Sequence, residues 1–290
     1  MYDKILFPTD GSNHAESVLE YALQIATEHE ATIHILNVAD TGQDSVSVIR
    51  GQVIDALEDE GEEIVEEAAA HVNEQGISVV AEVLQGTPHT TIVDYSDQHD
   101  LDCIVMPTHG RHGIQRYLLG SVTERVITTA EIPVVAVNPD RGRPLRYPCQ
   151  HVLVPTDGSR GAAPAVREGT EVAKTTGAKL HLLHVVETGN LGPDARSILK
   201  QDELEARATE ILSEATEKSA ELSHDAVVSR IEHGTPSREI RRYIDDHEID
   251  LAIMGTHGDT DFSRYALGGV SAKLVRTSPV PVMWVREADQ

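Results

Sequence analysis

The chain repeats itself once, and this repeat restricts the fold more than any other feature of the sequence. Residues 5–12 read ILFPTDGS and residues 152–159 read VLVPTDGS. Three further pairs follow in the same order: GTP at 86 and 234, PTHG and GTHG at 107 and 255, LGSV and LGGV at 119 and 267. The offset is 147 or 148 residues throughout, which is far too long for a solenoid repeat and is the length of one domain. The sequence therefore predicts two copies of one domain, residues 1–138 and 150–290.

The segment between the copies has the composition of a linker. Residues 138–148 read NPDRGRPLRYP, which is rich in proline, glycine and arginine and shows no hydrophobic periodicity. Its three prolines favour a stiff connection over a flexible one. We therefore predict a linker over residues 139–149.

Within each copy, segments with the patterns of strands and helices alternate. Apolar residues at 15, 18, 19, 22, 25 and 26 lie on one helical face, and Ser12 stands where an N-cap belongs. In the first copy the predicted order is strand 4–7, helix 13–29, strand 32–38, helix 52–75, strand 78–84, helix 88–99, strand 102–106, helix 120–129 and strand 134–137. This alternation predicts two α/β domains, each with a doubly wound parallel five-stranded sheet that helices cover on both faces.

Two loops in each copy carry residues that suit phosphate binding. In a doubly wound sheet, ligands bind beyond the carboxyl ends of the strands where the strand order reverses, so the loops after the first and fourth strands form the expected site. Glycines let a phosphate approach the backbone, and the helix that follows offers free N–H groups. The residues at these places are Gly255, Gly258, Gly268 and Gly269 in copy two, and Pro107, Gly110, Gly120 and Ser121 in copy one.

On these motifs the chain resembles the universal stress protein family, over nearly its whole length outside the linker. Family members that bind ATP have a Gly-x2-Gly-x9-Gly-Ser/Thr motif, an Asp after the first strand and an adenine site near the end of the second strand. The resemblance implies a Rossmann-like fold of the HUP or adenine nucleotide α-hydrolase type. It also implies an ATP or AMP site, with Mg²⁺ beside the nucleotide, in at least one copy. Carried over by position, the site residues are Pro8, Thr9, Asp10, Val38, His109, Gly110, Gly120, Ser121 and Val122 in copy one, and Pro155, Thr156, Asp157, Val185, Gly255, Gly258, Gly268, Gly269 and Val270 in copy two.

The resemblance gives the first-strand aspartates and the second-strand valines specific roles. Asp10 and Asp157 serve the ribose or the adenine, and Val38 and Val185 lie beside the adenine. Both aspartates also have an alternative role, because Asp-Gly-Ser is typical of an Asx turn that precedes a helix. The two roles stay open at this point.

Each copy departs from the family motif in its own way. Pro107 replaces the first glycine in copy one and removes a backbone donor, while Gly269 replaces the Ser or Thr in copy two and removes a hydroxyl. The intervening charges are Arg111, His112 and Arg116 in copy one, and Asp259, Asp261 and Arg264 in copy two. Cations favour a triphosphate and carboxylates oppose it, so copy one is slightly the better candidate.

The favoured function is a stress-response or regulatory module that binds an adenine nucleotide. Conventional catalysis is not expected, because the chain has no Gly-x-Ser-x-Gly elbow and no lysine of the phosphate-loop type. Two alternatives stay open: an interaction protein whose sites are empty, and a slow nucleotide hydrolase.

Fifteen histidines raise the question of a metal site. No group has the spacing of a zinc finger or a metalloprotease, and His181 and His184, three apart in a predicted strand, point to opposite faces. His109 and His257 recur in both copies, which fits residues that orient a loop better than ligands. The sequence therefore predicts no metal site apart from Mg²⁺ carried with the nucleotide.

The composition is strongly acidic, with 48 Asp and Glu against 24 Lys and Arg and a net charge of −24. This balance argues against a nucleic-acid or anionic-membrane surface, because both need a basic patch. No membrane span, signal peptide or disulfide framework is expected, so the cytoplasm is the predicted compartment. The excess of acidic residues, few lysines and 3% aromatics indicate a halophilic protein from a high-salt cytoplasm.

The last strand of each copy predicts association. Residues 133–137 and 281–285 are apolar runs expected at sheet edges, and an apolar edge has to be covered or paired. Family members pair these edges between subunits. The resemblance implies that the two copies pair them within one chain as a pseudo-dimer, with Trp284 at the junction, and a further two-fold homodimer stays an open alternative.

The halophilic interpretation can be tested by unfolding the chain at graded KCl, and whether the chain requires salt to fold stays open at this point. The midpoint of urea unfolding should rise as KCl shortens the Debye length from about 10 Å at 0.1 M to about 3 Å at 1 M, because screening relieves the self-repulsion of the folded chain. Circular dichroism at graded KCl measures this midpoint. A midpoint that does not change with KCl would contradict the halophilic interpretation.

Overall fold

Two compact α/β units make up the chain, Met1–Gly142 and Arg143–Gln290. The computed structural model describes residues 1–40, 52–110, 119–138, 140, 143–187, 195–221, 226–256 and 267–286. The division between the units falls inside the segment predicted as the linker, residues 139–149.

The first unit is a doubly wound sheet with helices between its strands. In chain order the elements are β1 (Lys4–Pro8), α1 (Asn13–His29), β2 (Thr32–Asp40), α2 (Gln52–Glu74), β3 (Val79–Gly86), α3 (Pro88–Gln98), β4 (Cys103–Pro107), α4 (Ser121–Thr129) and β5 (Val134–Val137). The strands lie in the order β3-β2-β1-β4-β5, and the pairs are parallel. The chain first moves outward from β1 through β2 to β3, and then crosses to β4 and β5 on the other side.

The second unit repeats this arrangement. Its elements are β6 (His151–Pro155), α5 (Ala163–Thr176), β7 (Lys179–Glu187), α6 (Ala195–Glu221), β8 (Val227–Gly234), α7 (Pro236–Asp246), β9 (Leu251–Gly255), α8 (Gly269–Thr277) and β10 (Val282–Val285). The strand order is β8-β7-β6-β9-β10, again with parallel pairs. The predicted fold class, two doubly wound parallel five-stranded sheets, is therefore confirmed. Strands β5 and β10 each lie at one edge of their own unit's sheet; the pseudo-dimer and the homodimer stay predictions.

The central strands of each sheet are built mainly from aliphatic residues that are buried on both faces. All five residues of β4 and all five of β9 are buried, and Ile5, Leu6 and Phe7 in β1 are at most 1% exposed. Continuous apolar runs of this kind are typical of parallel strands that helices cover on both sides. Cys103 belongs to this core, as its apolar surroundings in the sequence predict.

Helix α1 begins and ends at the residues that the sequence indicates. The Ser12 hydroxyl accepts a hydrogen bond from the backbone N–H of Ala15 at 3.2 Å, which satisfies one of the free donors of the first turn. The helix stops at Glu30, whose left-handed backbone (φ 54°) directs its N–H back to the carbonyl of Ala26. Within the described ranges, no helix is both long enough and apolar enough to cross a membrane.

One aspartate in each unit ties the start of the central strand to the start of its neighbour. Asp102 Oδ2 accepts hydrogen bonds from the backbone N–H groups of Asp3 (2.7 Å) and Lys4 (2.9 Å), just before β4. Asp250 does the same before β9, with the N–H groups of Gln150 (2.7 Å) and His151 (3.0 Å). A carboxylate that accepts two N–H bonds satisfies donors that the strand ladder leaves open.

Two strands and the linker differ from the prediction in their extent. Strands β2 and β3 run two residues beyond the predicted ends at 38 and 84, because their parallel pairing continues to Asp40 opposite Gly86. The second half of the predicted linker packs into the second unit: Tyr147 and Cys149 are buried. Apolar side chains in a proline-rich segment explain this packing, since burial outweighs the freedom of a short spacer.

A buried histidine–tyrosine pair recurs at the same place in both units. His34 Nδ1 lies 3.0 Å from the Tyr95 hydroxyl, and His181 Nδ1 lies 2.9 Å from the Tyr243 hydroxyl. Each pair joins the second strand of its sheet to the third helix. Burial, together with the nearby His151 and His247, lowers the pKa of His181 to about 4.

This shift predicts how the stability of the protein depends on pH. His181 titrates near its ordinary value of 6.5 in the unfolded chain and near 4 in the folded one, so the unfolded state binds more protons between these values. The free energy of unfolding should therefore fall as the pH is lowered from 6.5 to 4. Urea unfolding of His181→Gln should show a shallower fall over this range, while Tyr243→Phe, which keeps the ring that buries the imidazole, should retain it. If the free energy of unfolding of His181→Gln falls with pH as steeply as that of the unaltered protein, His181 is not the source of the pH dependence.

Candidate functional site

The strand order reverses at the central strand of each unit. Strand β1 pairs with β2 on one side and β4 on the other, and β6 pairs in the same way with β7 and β9. The loops that follow the first and fourth strands of a unit therefore start side by side, and a crevice at this position is the usual ligand site of such sheets.

The loop after β1 folds on itself through its own polar side chains. Asp10 Oδ1 accepts the backbone N–H of Ser12 at 3.1 Å, and Thr9 Oγ1 accepts that of Gly11 at 3.1 Å. Gly11 adopts a φ of 68°, which glycine tolerates without strain. The Asx turn that the Asp-Gly-Ser sequence indicates is thus present in the first unit.

The loop after β6 repeats this geometry. Asp157 Oδ1 accepts the N–H of Ser159 at 2.9 Å, Thr156 Oγ1 accepts that of Gly158 at 3.2 Å, and Gly158 has a φ of 78°. Asp10 is half-buried, whereas Asp157 is exposed. Both units therefore have the same turn, but the aspartate in it is more buried in the first unit than in the second.

A side chain on the second strand anchors this loop in each unit, and sequence reasoning missed it. Asn37 Nδ2 donates to the carbonyl of Thr9 at 2.9 Å, and His184 Nδ1 donates to the carbonyl of Thr156 at 2.8 Å. The two residues lie at matching positions of the repeat, and each is a polar residue between two apolar neighbours near the carboxyl end of its strand. That pattern is the signal that could have identified them.

The loop after β4 meets the loop after β1 at one contact. A Cβ on Gly110 would overlap Oδ2 of Asp10, so a larger residue at this position would displace the Asp10 carboxylate. The loop then returns to the sheet, because the N–H of Gly120 donates to the carbonyl of Thr108 at 2.8 Å and Thr123 Oγ1 donates to the carbonyl of Pro107 at 2.9 Å.

These bonds bring the N-terminus of α4 to the carboxyl end of the sheet. Gly120 is the N-cap, with φ −64° and ψ 139°, and no side chain caps the helix there. The N–H groups of a first helical turn have no partner inside the helix, and their dipoles favour an anion. Ser121, the first residue of α4, is exposed, and Val122 is half-buried.

In the second unit the loop after β9 is also hydrogen-bonded back to the end of its strand, but its first glycine contacts a different residue. The N–H of Gly268 donates to the carbonyl of Thr256 at 3.1 Å, and α8 begins at Gly269 without a side-chain cap. A Cβ on Gly255 would overlap the carbonyl oxygen of Gly161, at the start of the segment that leads into α5. Close packing between two backbones therefore already explains this glycine.

Two imidazoles and a carboxylate from three segments of the first unit form a cluster beside the loop after β4. Asp140 Oδ2 lies 3.3 Å from His109 Nε2, and Asp140 Oδ1 lies 3.6 Å from His14 Nε2. The two imidazole rings meet edge to face with centroids 4.7 Å apart. His109 is buried, and its Nδ1 lies 3.0 Å from Thr108 Oγ1. Sequence reasoning missed this cluster because its members are far apart in the chain.

The remaining predicted residues take the following places. Val38 and Val185 are half-buried near the carboxyl ends of β2 and β7, opposite Leu84 and Glu232 of the neighbouring strands. Pro8 and Pro155 end the central strands, and Val270 is half-buried in the first turn of α8. Gly258, His257 and the charged residues Arg111, His112, Arg116, Asp259, Asp261 and Arg264 lie outside the described residues.

Comparison with known proteins agrees with this architecture. The sequence pattern of the universal stress protein family matches residues 1–138 and again residues 148–286. The chain belongs to the universal stress protein family. A universal stress protein of Mycolicibacterium smegmatis is 26% identical over 97% of this chain and 96% of its own length. Universal stress protein MJ0531 of Methanocaldococcus jannaschii is 35% identical over 47% of this chain and 82% of its own.

Solved structures of universal stress proteins have the same fold over the whole chain. The crystal structure of a universal stress protein from Archaeoglobus fulgidus covers 99% of this chain and 100% of its own, with a TM-score of 0.76 and 27% identity. That of a putative universal stress protein from Pseudomonas aeruginosa covers 98% and 93%, with a TM-score of 0.66 and 15% identity. Two matches of the family pattern and full-length relatives confirm a tandem member of the family.

The surroundings of Gly255 and Gly269 predict different effects of an alanine substitution on the free energy of unfolding. Gly255→Ala should lower the free energy of unfolding by about 1–3 kcal/mol, because its methyl group overlaps a backbone carbonyl that cannot rotate away. Gly269→Ala meets no atom within 4 Å and should leave stability unchanged or raise it by up to about 1 kcal/mol. Urea unfolding of the two variants measures the difference, and equal stabilities would show that the Gly255 contact is not close.

Proposed function

We propose that the first unit of this universal stress protein binds an adenine nucleotide, ATP or AMP, and that the protein acts as a ligand-linked stress-response module in the cytoplasm. The observation that carries the proposal is the contact of Asp10 with Gly110 where the strand order reverses. This contact joins a carboxylate suited to a nucleoside to a loop that ends at a helix without a side-chain cap.

The nucleoside end would lie over the loop after β1. Asp10 accepts a backbone hydrogen bond within the turn, and because a carboxylate has about four lone-pair sites, this turn role is compatible with a bond to a ribose hydroxyl or the adenine amine. Asn37 holds the carbonyl of Thr9 and keeps this loop in place. Val38, half-buried at the end of β2, would offer an apolar surface to the adenine.

The phosphate end would lie at the start of α4. The N–H groups of the first turn, at Ser121 and Val122, favour an anion through hydrogen bonds and the helix dipole. The Ser121 hydroxyl is exposed and adds one donor. Mg²⁺ would travel with a triphosphate and be held chiefly by phosphate and water oxygens, as is usual for this ion.

The second unit is the weaker candidate. Its aspartate, Asp157, is exposed, and α8 starts at Gly269 without a hydroxyl. Its first motif glycine, Gly255, already has a packing role against Gly161. We therefore expect one nucleotide per chain.

We propose no catalytic role. The chain lacks the lysine of a phosphate loop, and an uncapped helix with one hydroxyl binds phosphate without activating a water. Any hydrolysis of ATP is expected to be slow and incidental.

Calorimetric titration of the full chain with Mg-ATP and AMP tests the proposal. We expect one site per chain, lost in Asp10→Ala and retained in the matched control Asp157→Ala, which removes the same turn from the second unit. Ser121→Gly should lower the affinity for ATP about tenfold or more, since hydrogen bonds to charged groups contribute about 1.5–3 kcal/mol. Gly269→Ser, which meets no atom within 4 Å of its Cβ, should tighten the second unit's affinity.

Three results would contradict the proposal. The absence of heat and of a thermal shift with both nucleotides would favour the interaction protein with empty sites. Loss of binding in Asp157→Ala but not in Asp10→Ala would move the site to the second unit. Turnover of ATP above background that disappears in Asp10→Ala would favour the hydrolase.

A further inference from the structure

We propose that His14, His109 and Asp140 of the first unit bind one divalent transition-metal ion of the Zn²⁺ class. The three side chains come from the first turn of α1, the loop after β4 and the segment that follows β5. Their ligand atoms all lie within 4.8 Å of one another. The proposal does not depend on nucleotide binding.

The distances in the cluster suit a shared ion better than direct hydrogen bonds. Asp140 oxygens lie 3.3 Å from His109 Nε2 and 3.6 Å from His14 Nε2. Charge-assisted N–H···O bonds are shorter, about 2.7–2.9 Å. Two ligands at ~2.0–2.1 Å from a tetrahedral zinc lie about 3.3 Å apart, which is close to both carboxylate–imidazole separations in the cluster.

The surroundings of each ligand hold it in an orientation that suits a metal. Thr108 Oγ1 lies 3.0 Å from Nδ1 of His109, and a hydrogen bond at this nitrogen leaves Nε2 directed at Asp140. Metal-bound histidines generally have such a partner on their second nitrogen. Asn138 Oδ1 accepts the backbone N–H of Asp140 at 3.1 Å and fixes the turn that presents the carboxylate.

The chemistry of the ligands selects the class of ion. Two imidazoles and one carboxylate suit Zn²⁺ and its neighbours in the first transition series, whereas Mg²⁺ and Ca²⁺ prefer oxygen ligands. Three protein ligands leave a fourth position for water or an anion. His109 is only 3% exposed, but the side chains of His14 and Asp140 are about one third exposed (33% and 32%), so an ion can enter from solvent.

The repeat predicts one such ion per chain. In the second unit the residue at the position of His14 is Gly161, whose carbonyl packs against Gly255. The second unit therefore lacks the first imidazole ligand.

Titration of the full, untagged chain with Zn²⁺ against a chromophoric chelator, in the absence of nucleotide, tests the proposal. We expect one ion per chain, with an affinity that falls more than about 100-fold in His14→Ala and in Asp140→Asn; loss of an outer partner alone costs about 10–100-fold. Both residues are partly exposed, so the variants should fold, and their circular dichroism and thermal unfolding without metal check this. His71→Gln is the matched control, because exposed His71 also contacts a carboxylate, that of Glu20 at 2.6 Å, outside the cluster.

Each outcome decides for or against the site. One ion per chain that is lost in both cluster variants and kept in His71→Gln supports it. Unchanged affinity in the cluster variants means that the ion binds scattered surface histidines, and the proposal is wrong. It is also wrong when Zn²⁺ does not bind in competition with the chelator, or when Mg²⁺ displaces Zn²⁺ at equal concentration.

Discussion

The parallel pairing of β1 with both β2 and β4, and of β6 with β7 and β9, is the constraint on which the rest of each unit depends. Asp102 and Asp250 reinforce it, since each carboxylate accepts two backbone N–H groups at the start of the neighbouring strand. With the strands joined at their starts, their carboxyl ends lie side by side. The two loops of the candidate site therefore meet as a consequence of sheet pairing, before any ligand is considered.

The motif glycines have a packing role where the loops meet, in addition to any role in binding phosphate. Gly110 lies against the Asp10 carboxylate, whereas Gly255 lies against the backbone of Gly161, so a side chain at 110 would displace the carboxylate and one at 255 would push two backbones apart. The features that favour a nucleotide in the first unit over the second are the Asp10 carboxylate at this contact, which is half-buried, and the serine at the start of α4.

The two units have diverged at the junction of the first loop and the first helix. In the first unit, α1 begins at Asn13, and His14 in its first turn reaches the Asp140 carboxylate. In the second unit, α5 begins only at Ala163, and the preceding Gly161 packs its backbone against Gly255. The same fold thus has a polar cluster suited to a cation in one unit and a closed backbone contact in the other.

The sequence by itself determined the duplication, the order of strands and helices and the N-cap at Ser12, and it indicated the Asx turns at Asp10 and Asp157 as one of two roles. These features follow from periodicity and from contacts between residues a few positions apart, which a local pattern records. Only the tertiary structure decided the anchors at Asn37 and His184, the burial of Tyr147 and Cys149, and the grouping of His14, His109 and Asp140. Those arrangements join residues from distant segments, and their distances depend on how strands and helices pack, which no spacing along the chain specifies.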